Sequence, residues 1–172
     1  MTTRRITKNA IMLAMLCVIG MISLPLGDNI KVSLQLLVVY IICLTAESVI
    51  DCLIVTSLYL LLGLFLPVYA GFSFGISPTF GYVISFVLIC PIIYFINRIN
   101  KINVHIRMSL ACSIALLVCY AIGTIFMMIY LKWDFTKTFL VSVVPYIPFD
   151  IAKIVVADLV VAMLPKKINP NK

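Results

Sequence analysis

Long apolar stretches, separated by short polar or proline-containing breaks, follow one another along most of this 172-residue chain. A stretch of about 20 apolar residues matches the hydrocarbon thickness of a bilayer, and a helix satisfies its own backbone polar groups there. Hydrophobic residues make up 64% of the chain and charged residues 11%, which leaves more apolar surface than a soluble domain can bury. The sequence therefore predicts an all-α integral membrane protein, with a single transmembrane domain over residues 1–172.

The apolar stretches predict six transmembrane helices, whose limits are set by the breaks between them. The predicted helices cover residues 8–24, 33–44, 48–66, 79–96, 108–131 and 144–164. The second is short for a full span. The first runs on without the small-residue cleavage site of a signal peptide, so we expect it to be retained as a membrane helix.

The distribution of basic residues predicts the orientation of these helices. With the N-terminus in the cytoplasm, nine lysines and arginines fall on the inner side and three on the outer side, as the positive-inside rule requires. The inner group is Arg4, Arg5, Lys8, Arg98, Lys101, Arg107, Lys166, Lys167 and Lys172, and the outer group is Lys31, Lys132 and Lys137. We therefore expect a multi-pass protein of the cell membrane with both termini cytoplasmic. The net charge of +7 reflects this bias and does not indicate a nucleic-acid-binding patch.

The last apolar stretch contains two opposite charges, Asp150 and Lys153, spaced three residues apart. On a helix, this spacing puts both side chains on one face. A charged side chain in hydrocarbon costs about 2.5–3.5 kcal/mol on insertion scales, so such residues mark a cavity, an internal partner or a ligand. We interpret the pair as a substrate-binding site. The alternative is an ion pair that only joins the last helix to its neighbours.

Two predicted outer loops, over residues 25–32 and 67–78, lie at the same end as Asp150. The second loop has no charge, two glycines, two prolines and three aromatic residues. Such an apolar loop is typical of a lid that folds over a pocket and excludes water. Anchoring of Phe72 and Phe74 at the membrane interface is the alternative.

The sequence offers no pattern for catalysis or metal binding. The six cysteines lack metal-ligand spacing and lie in or beside apolar stretches, so we expect packing residues and neither a metal site nor disulfides. A membrane-embedded enzyme is the less favoured function, because Asp150 and Asp158 are more than two helical turns apart and cannot share a proton. The chain also lacks the glycine-rich Lys-Ser/Thr loop that binds ATP phosphates.

Several short motifs occur in order along nearly the whole chain. They are Leu24-Pro-Leu-Gly27, Val32-Ser-Leu-Gln35, Leu58-Tyr-Leu-Leu-Leu-Gly63, Leu66-Pro-Val-Tyr-Ala-Gly71, Ser77-Pro-Thr-Phe-Gly-Tyr82 and Asp150-x-x-Lys153. Together they resemble the BioY family, the biotin-specific substrate-binding (S) component of energy-coupling factor (ECF) vitamin transporters. The resemblance implies a six-helix S-component bundle that captures biotin at the extracellular face, beneath the two loops.

The resemblance also implies roles for individual residues. Asp150 would accept the ureido N–H groups of biotin, and Lys153 would pair with its valerate carboxylate. Further substrate contacts are expected from Ser33, Gln35, Tyr82, Phe72 and Phe74. Where the family usually has Gly-Pro-Thr-Gly-Gly-Tyr, this chain has Phe80 in place of a glycine, near the expected pocket mouth. A related vitamin or a biotin precursor therefore stays open as the substrate.

Partner subunits follow from the same resemblance. A transmembrane coupling subunit and two ATPase subunits would supply the energy, so this chain is expected to be a transporter subunit without a cofactor or ATPase activity of its own. Ala10 and Ala14 form a small-x-x-x-small pattern that allows close approach of a partner helix. Ordinary packing within the chain is the alternative for these two residues.

Overall fold

The chain folds into a helical bundle with one short β-hairpin, so the predicted all-α architecture is confirmed. The structure is a computed structural model that describes residues 3–25, 31–99 and 103–164. Its elements in order are α1 Thr3–Met21, β1 Ser23–Pro25, β2 Lys31–Ser33, α2 Gln35–Thr45, α3 Val49–Phe65, α4 Phe80–Ile96, α5 Val104–Leu131, α6 Phe135–Ser142 and α7 Ile147–Met163. A 3₁₀ turn, Val144–Tyr146, joins α6 to α7.

Polar caps explain where two of the helices begin. At α3, the Ser48 hydroxyl accepts from the N–H of Ile50 (3.3 Å) and the Asp51 carboxylate accepts from the N–H of Ser48 (3.1 Å), which is a capping box. At α5, Asn103 Oδ1 accepts from the N–H of His105 (3.0 Å). The fifth helix therefore begins at Val104 and not at the predicted residue 108, because the Asn103 cap precedes the apolar stretch.

The first predicted helix, 8–24, corresponds to α1 but ends earlier. Ser23–Pro25 instead pairs antiparallel with Lys31–Ser33, with Leu24 opposite Val32. The sequence predicts helix and loop here because strands of three residues are too short for an alternating pattern. Residues 26–30 of the predicted 25–32 loop lie outside the described residues.

The predicted sixth helix, 144–164, corresponds to α7, and the short α6 before it was not predicted. Prolines lie near the start of both the 3₁₀ turn and α7. Because proline has no N–H, it is tolerated in the first turn of a helix and breaks a longer one. Pro145 and Pro148 therefore separate α6 from α7.

Among the residues that the structure describes, two helical stretches have the length and apolar composition needed to cross a membrane. They are Val104–Leu131, with a mean hydropathy of 2.4, and Phe135–Met163, with 1.8. The helices α2, α3 and α4 are apolar and shorter. Large apolar side chains around the bundle are exposed, among them Phe65, Leu117 and Met163, as expected for a surface that contacts lipid.

The short helix α2 lies at the centre of the bundle. All but two of its 11 residues are buried, and it contacts α1, α3, α4 and α7. At 1.5 Å per residue it is about 16 Å long, roughly half of the hydrocarbon thickness. The space beyond its N-terminal end is therefore not filled by α2 itself.

The C-terminal end of α2 belongs to a polar network, the polar end of the bundle. Arg5 pairs with Asp51 (Nη2 to Oδ2, 2.7 Å), Asn9 donates to the same carboxylate (3.0 Å), and Lys8 donates to the Thr45 carbonyl (2.7 Å). These contacts fix α1 to α2 and α3. Other residues predicted for the inner side lie outside the described residues, namely Lys101, Lys166, Lys167 and Lys172.

Candidate ligand-binding site

A cavity of about 390 Å³ lies beyond the N-terminal end of α2. This volume is within the range of small-molecule sites. Its walls come from α2, α4, α5, α6 and α7, together with the 66–79 loop that joins α3 to α4. Apolar side chains, including Leu36, Val83, Phe86 and Met127, form much of the lining.

Asp150 and Lys153 line this cavity and pair with each other. Lys153 Nζ donates to Asp150 Oδ1 (2.6 Å), and the Tyr120 hydroxyl donates to Asp150 Oδ2 (2.6 Å). Asp150 is 4% exposed and Lys153 is 8% exposed. Because α7 is helical here, the two charges share one face as predicted. They form an internal ion pair and also border the cavity, and their contact with a substrate stays a prediction.

The short distance between the two charges bears on their implied roles. The resemblance assigns Asp150 and Lys153 to opposite ends of an elongated ligand. With 2.6 Å between Nζ and Oδ1, both groups face the same part of the cavity. A urea-type ring fits such a pair, because a carboxylate accepts its N–H while an ammonium donates to its neighbouring C=O.

Three further predicted residues, Ser33, Gln35 and Tyr82, also line the cavity. The Gln35 side chain donates to the Tyr59 hydroxyl (2.5 Å), and Ser33 Oγ accepts from the Gln35 N–H (3.0 Å). Tyr82 donates to the Ser142 carbonyl (3.2 Å), which ties α4 to α6. These internal bonds hold the polar side chains in place before a ligand arrives, which favours precise binding.

Phe72 and Phe74 lie on the outside of the 66–79 loop. Their side chains are 68% and 64% exposed, and neither borders the cavity. The backbone turns through left-handed conformations at Gly71 (φ 69°) and Phe72 (φ 58°). Closure of these two rings over a ligand stays a prediction.

Tyr69 and Ala70 are the residues of this loop that line the cavity. The Tyr69 hydroxyl donates to the Leu60 carbonyl (2.7 Å), and its ring packs against Tyr59 with centroids 5.6 Å apart. Burial raises the pKa of Tyr69 to about 12, so the phenol keeps its proton near neutral pH and remains a donor. The inner side of the loop is therefore a fixed wall of the cavity.

Sequence analysis missed Tyr69, Tyr120, Ser142 and Tyr146, which also line the cavity. The Ser142 hydroxyl is buried without a hydrogen-bond partner among the described residues. Buried polar groups normally have a hydrogen-bond partner, and a ligand in the cavity can supply one for the Ser142 hydroxyl. The sequence does place polar side chains such as that of Tyr120 inside apolar stretches. Tyrosines are too common in such stretches for this feature alone to predict which of them lines a cavity.

Asp158 belongs to a separate polar pair. Its Oδ2 lies 2.8 Å from His105 Nδ1, while Asp150 is bonded to Lys153 and Tyr120. Paired-carboxylate catalysis requires two carboxyl groups within reach of one proton. The separate partners of Asp150 and Asp158 therefore argue against an intramembrane enzyme of that class.

Ala10 and Ala14 lie on an exposed face of α1. The opposite face of this helix is buried through Leu16 and Gly20. A Cβ at Gly20 would lie 2.8 Å from the Tyr59 hydroxyl, so this position keeps α1 close to α3. Close packing within the bundle is thus made by Gly20 and not by Ala10 or Ala14.

Comparison with known proteins identifies relatives of the whole chain. The sequence model of the BioY family matches residues 1–170. The chain is 31% identical over 168 residues to the biotin transporter BioY of Thermotoga maritima, covering 95% of this chain and 96% of the relative. It is also 31% identical over 168 residues to the probable biotin transporter BioY of Pyrococcus horikoshii, covering 95% and 98%.

The fold is shared with a solved structure. The crystal structure of the S-component for biotin from an ECF-type ABC transporter superposes with a TM-score of 0.78 over 98% of both chains, at 20% sequence identity. At this identity the likeness concerns the fold. The family match and the two relatives extend over nearly the entire sequence, and on these grounds the chain belongs to the BioY family.

Proposed function

We propose that this chain is the substrate-binding membrane subunit of an ECF-type importer and that its ligand is biotin. The observation that carries the proposal is the cavity of about 390 Å³ with the buried Asp150–Lys153 pair in largely apolar walls. Biotin has an apolar body, a urea group and a distant carboxylate, so it needs a few placed polar groups in an apolar pocket. The names of the two relatives support the same ligand.

The substitution of Phe80 for a family glycine does not alter the cavity lining. Phe80 is buried between Tyr69 and Phe126, with ring centroids 6.2 and 5.9 Å away, and it does not border the cavity. This packing removes the main sequence-based reason for a different substrate. A related vitamin or biotin precursor is the second candidate, and direct binding measurements separate the two.

In our proposal Asp150 accepts from the ureido N–H groups and Lys153, held beside it in the ion pair, donates to the urea carbonyl; the 2.6 Å contact between the two charges supports this arrangement. The carboxylate of biotin then extends along the cavity toward Ser33 at the end of β2 and Gln35 at the start of α2, which also line it. In the alternative arrangement Lys153 pairs with the carboxylate of biotin, and its 2.6 Å contact with Asp150 breaks on binding.

Transport follows from association with other subunits. Biotin enters from the extracellular face, beneath the 25–32 and 67–78 loops, and is released inward when the bundle reorients against a transmembrane coupling subunit. Two ATPase subunits supply the energy, and the chain itself needs no cofactor. The concentration of basic groups at the polar end, opposite the cavity, supports six spans with both termini in the cytoplasm of a bacterial cell.

The first experiment is a calorimetric titration of biotin into the detergent-purified full chain. We expect tight binding at one site, weakened by about 2–5 kcal/mol in Asp150→Ala and in Lys153→Ala, because each change removes a partner from a buried charge. Asp158→Asn is the matched control, since Asp158 lies on the same helix but pairs with His105. If both alanine variants bind within about 0.5 kcal/mol of the native protein, the pair is only structural.

A second titration decides which ligand group meets Lys153. Biotin and its uncharged methyl ester are compared on the native protein and on Lys153→Ala, as a double cycle. If Lys153 donates to the urea, loss of the carboxylate charge weakens binding equally in both proteins. If Lys153 pairs with the carboxylate of biotin, the methyl ester and biotin bind equally to Lys153→Ala. The arrangement in which the ion pair stays closed is then wrong.

A further inference from the structure

Three cysteines that are far apart in the sequence meet inside the bundle. Cys43 of α2, Cys52 of α3 and Cys90 of α4 have sulfur atoms that all lie within 4.8 Å of one another. The sulfur atoms of Cys43 and Cys90 lie 3.3 Å apart. All three side chains are buried. The sequence predicts no metal site because each cysteine comes from a different helix, so no motif spacing exists.

The arrangement suits a single metal ion. Metal–sulfur distances of about 2.3 Å place three sulfurs around one ion roughly 4 Å apart. The observed separations, from 3.3 Å up to 4.8 Å, span this value. Shifts of less than an ångström at each side chain would therefore form a three-sulfur site, and sulfur ligands select soft ions such as Cu⁺ and Zn²⁺.

The present partners of the three thiols are weak and replaceable. Cys52 donates to the Val49 carbonyl (3.2 Å) and Cys90 to the Phe86 carbonyl (3.0 Å), both within their own helices. A thiol is a weak donor, so loss of these hydrogen bonds on metal binding has a small cost. No histidine or carboxylate joins the three sulfurs among the described residues.

The cluster adjoins a second, small cavity at the polar end of the bundle. Cys52 borders this cavity of about 10 Å³, whose polar lining includes Arg5, Lys8, Asn9, Glu47 and Asp51. The volume holds about one water molecule. A water in this cavity can serve as the fourth ligand of a tetrahedral ion.

We propose that Cys43, Cys52 and Cys90 bind one thiophilic d¹⁰ ion, Zn²⁺ or Cu⁺, at this position. Each thiol that becomes a thiolate ligand releases one proton to water, and neither the metal nor sulfur changes oxidation state. The positive ion offsets the charge of the thiolates in a low-dielectric interior. The site clamps α2, α3 and α4 together at the end opposite the ligand cavity, and it is independent of the proposed biotin function.

The test uses the full chain, purified in detergent, reduced and freed of metal. Titration with Cd²⁺, a spectroscopic substitute, should give a thiolate-to-metal charge-transfer band that saturates at one ion per chain. Separate titrations with Zn²⁺ and Cu⁺ against chromophoric chelators identify the preferred ion. The preferred ion should raise the thermal unfolding midpoint in proportion to the logarithm of its concentration, as expected for binding to the folded state.

Matched serine variants locate the site. Cys52→Ser should weaken metal binding at least about tenfold, because a metal ligand is lost. Cys112→Ser is the control, since Cys112 is equally buried but lies outside the cluster. Circular dichroism reports whether each variant is folded. If Cys52→Ser does not fold, the native titration alone decides.

Two results overturn the proposal. One is the absence of a charge-transfer band at one equivalent of Cd²⁺ in the native protein, or an equal band in folded Cys52→Ser. The other is a Cys43–Cys90 disulfide in protein purified without reductant, combined with no metal uptake after reduction. The second result would mean that Cys43 and Cys90 lie close together because they form a disulfide, and not because they bind a metal.

Discussion

The Asp150 carboxylate is bonded at both oxygens before any ligand binds. Lys153 Nζ occupies Oδ1 and the Tyr120 hydroxyl occupies Oδ2, each at 2.6 Å. A buried charge is stable only when it is paired and hydrogen-bonded. Tyr120 therefore fixes the direction in which Asp150 presents its remaining lone pairs to the cavity.

Replacing Tyr120 by phenylalanine tests this positioning. We expect Tyr120→Phe to weaken biotin binding or folding stability by about 1.5–3 kcal/mol in total, the range for hydrogen bonds to charged groups. Calorimetry measures the loss of biotin affinity, and thermal unfolding measures the loss of stability. Tyr130→Phe is the control, because the Tyr130 hydroxyl donates to a neutral carbonyl, that of Ile76, and Tyr130 does not line the cavity. Equal effects of the two variants would contradict a special role for Tyr120.

Among single residues, the sequence predicts those site residues that interrupt an otherwise apolar stretch. Asp150 and Lys153 stand out as charges in an apolar stretch, and both line the cavity. Tyr120 and Ser142 carry polar atoms that suit either a core or an interface. Their role depends on which helices pack against one another, and the sequence pattern does not show this tertiary packing.

The 66–79 loop is attached to the bundle through backbone contacts as well as side chains. The Gly75 N–H donates to the Gly63 carbonyl (2.8 Å), and the Gly71 N–H donates to the Met21 carbonyl (3.0 Å). The Tyr69 ring lies directly over Gly63, where a Cβ would be 1.9 Å from its Cε1. Only glycine at position 63 lets this ring lie against α3 and form the cavity wall.

Introducing a methyl group at Gly63 should displace that wall. We expect Gly63→Ala to lower the free energy of unfolding by about 1–3 kcal/mol, the usual cost of overpacking, and to weaken biotin binding. Urea unfolding and calorimetry measure the two effects. Ile76→Ala, a change at an exposed side chain of the same loop that does not line the cavity, is the control for binding. Native binding by Gly63→Ala would show that Tyr69 is not needed for the site.

The limits of the helices are predictable where a local signal marks them. The predicted helices 48–66 and 79–96 agree with α3 and α4 to within a residue at each end. The β-hairpin and α6 were missed because their segments are short, three residues in each strand and eight in α6. A periodicity of a few residues cannot distinguish such elements from loop.

Over the whole molecule, the shortness of α2 has the largest effect on function. The sequence shows that this stretch is short for a full span, but only the packing reveals that it is central. The helices around it are longer, so the bundle has a filled half and a half that holds the cavity. The small exposed residues of α1 lie outside both, on a surface that is free to meet another helix.

The proposed docking of α1 on a coupling subunit is testable in the assembled transporter. We expect Ala14→Leu to abolish co-purification with the coupling subunit while biotin binding by the isolated chain is unchanged, because a larger side chain prevents close helix approach. Ala121→Leu, at an exposed alanine on α5, is the control. Normal assembly of Ala14→Leu would exclude this face of α1 as the contact.

The walls of the large cavity come from segments that are far apart in the sequence. Ser33 and Gln35 are synthesised long before Asp150 and Lys153. Since α7 contributes both charges, a nascent chain that lacks α7 does not contain a complete site. Retention of a labelled vitamin thus reports that α7 has been synthesised and packed, and a bound vitamin stabilises only chains that already contain this helix.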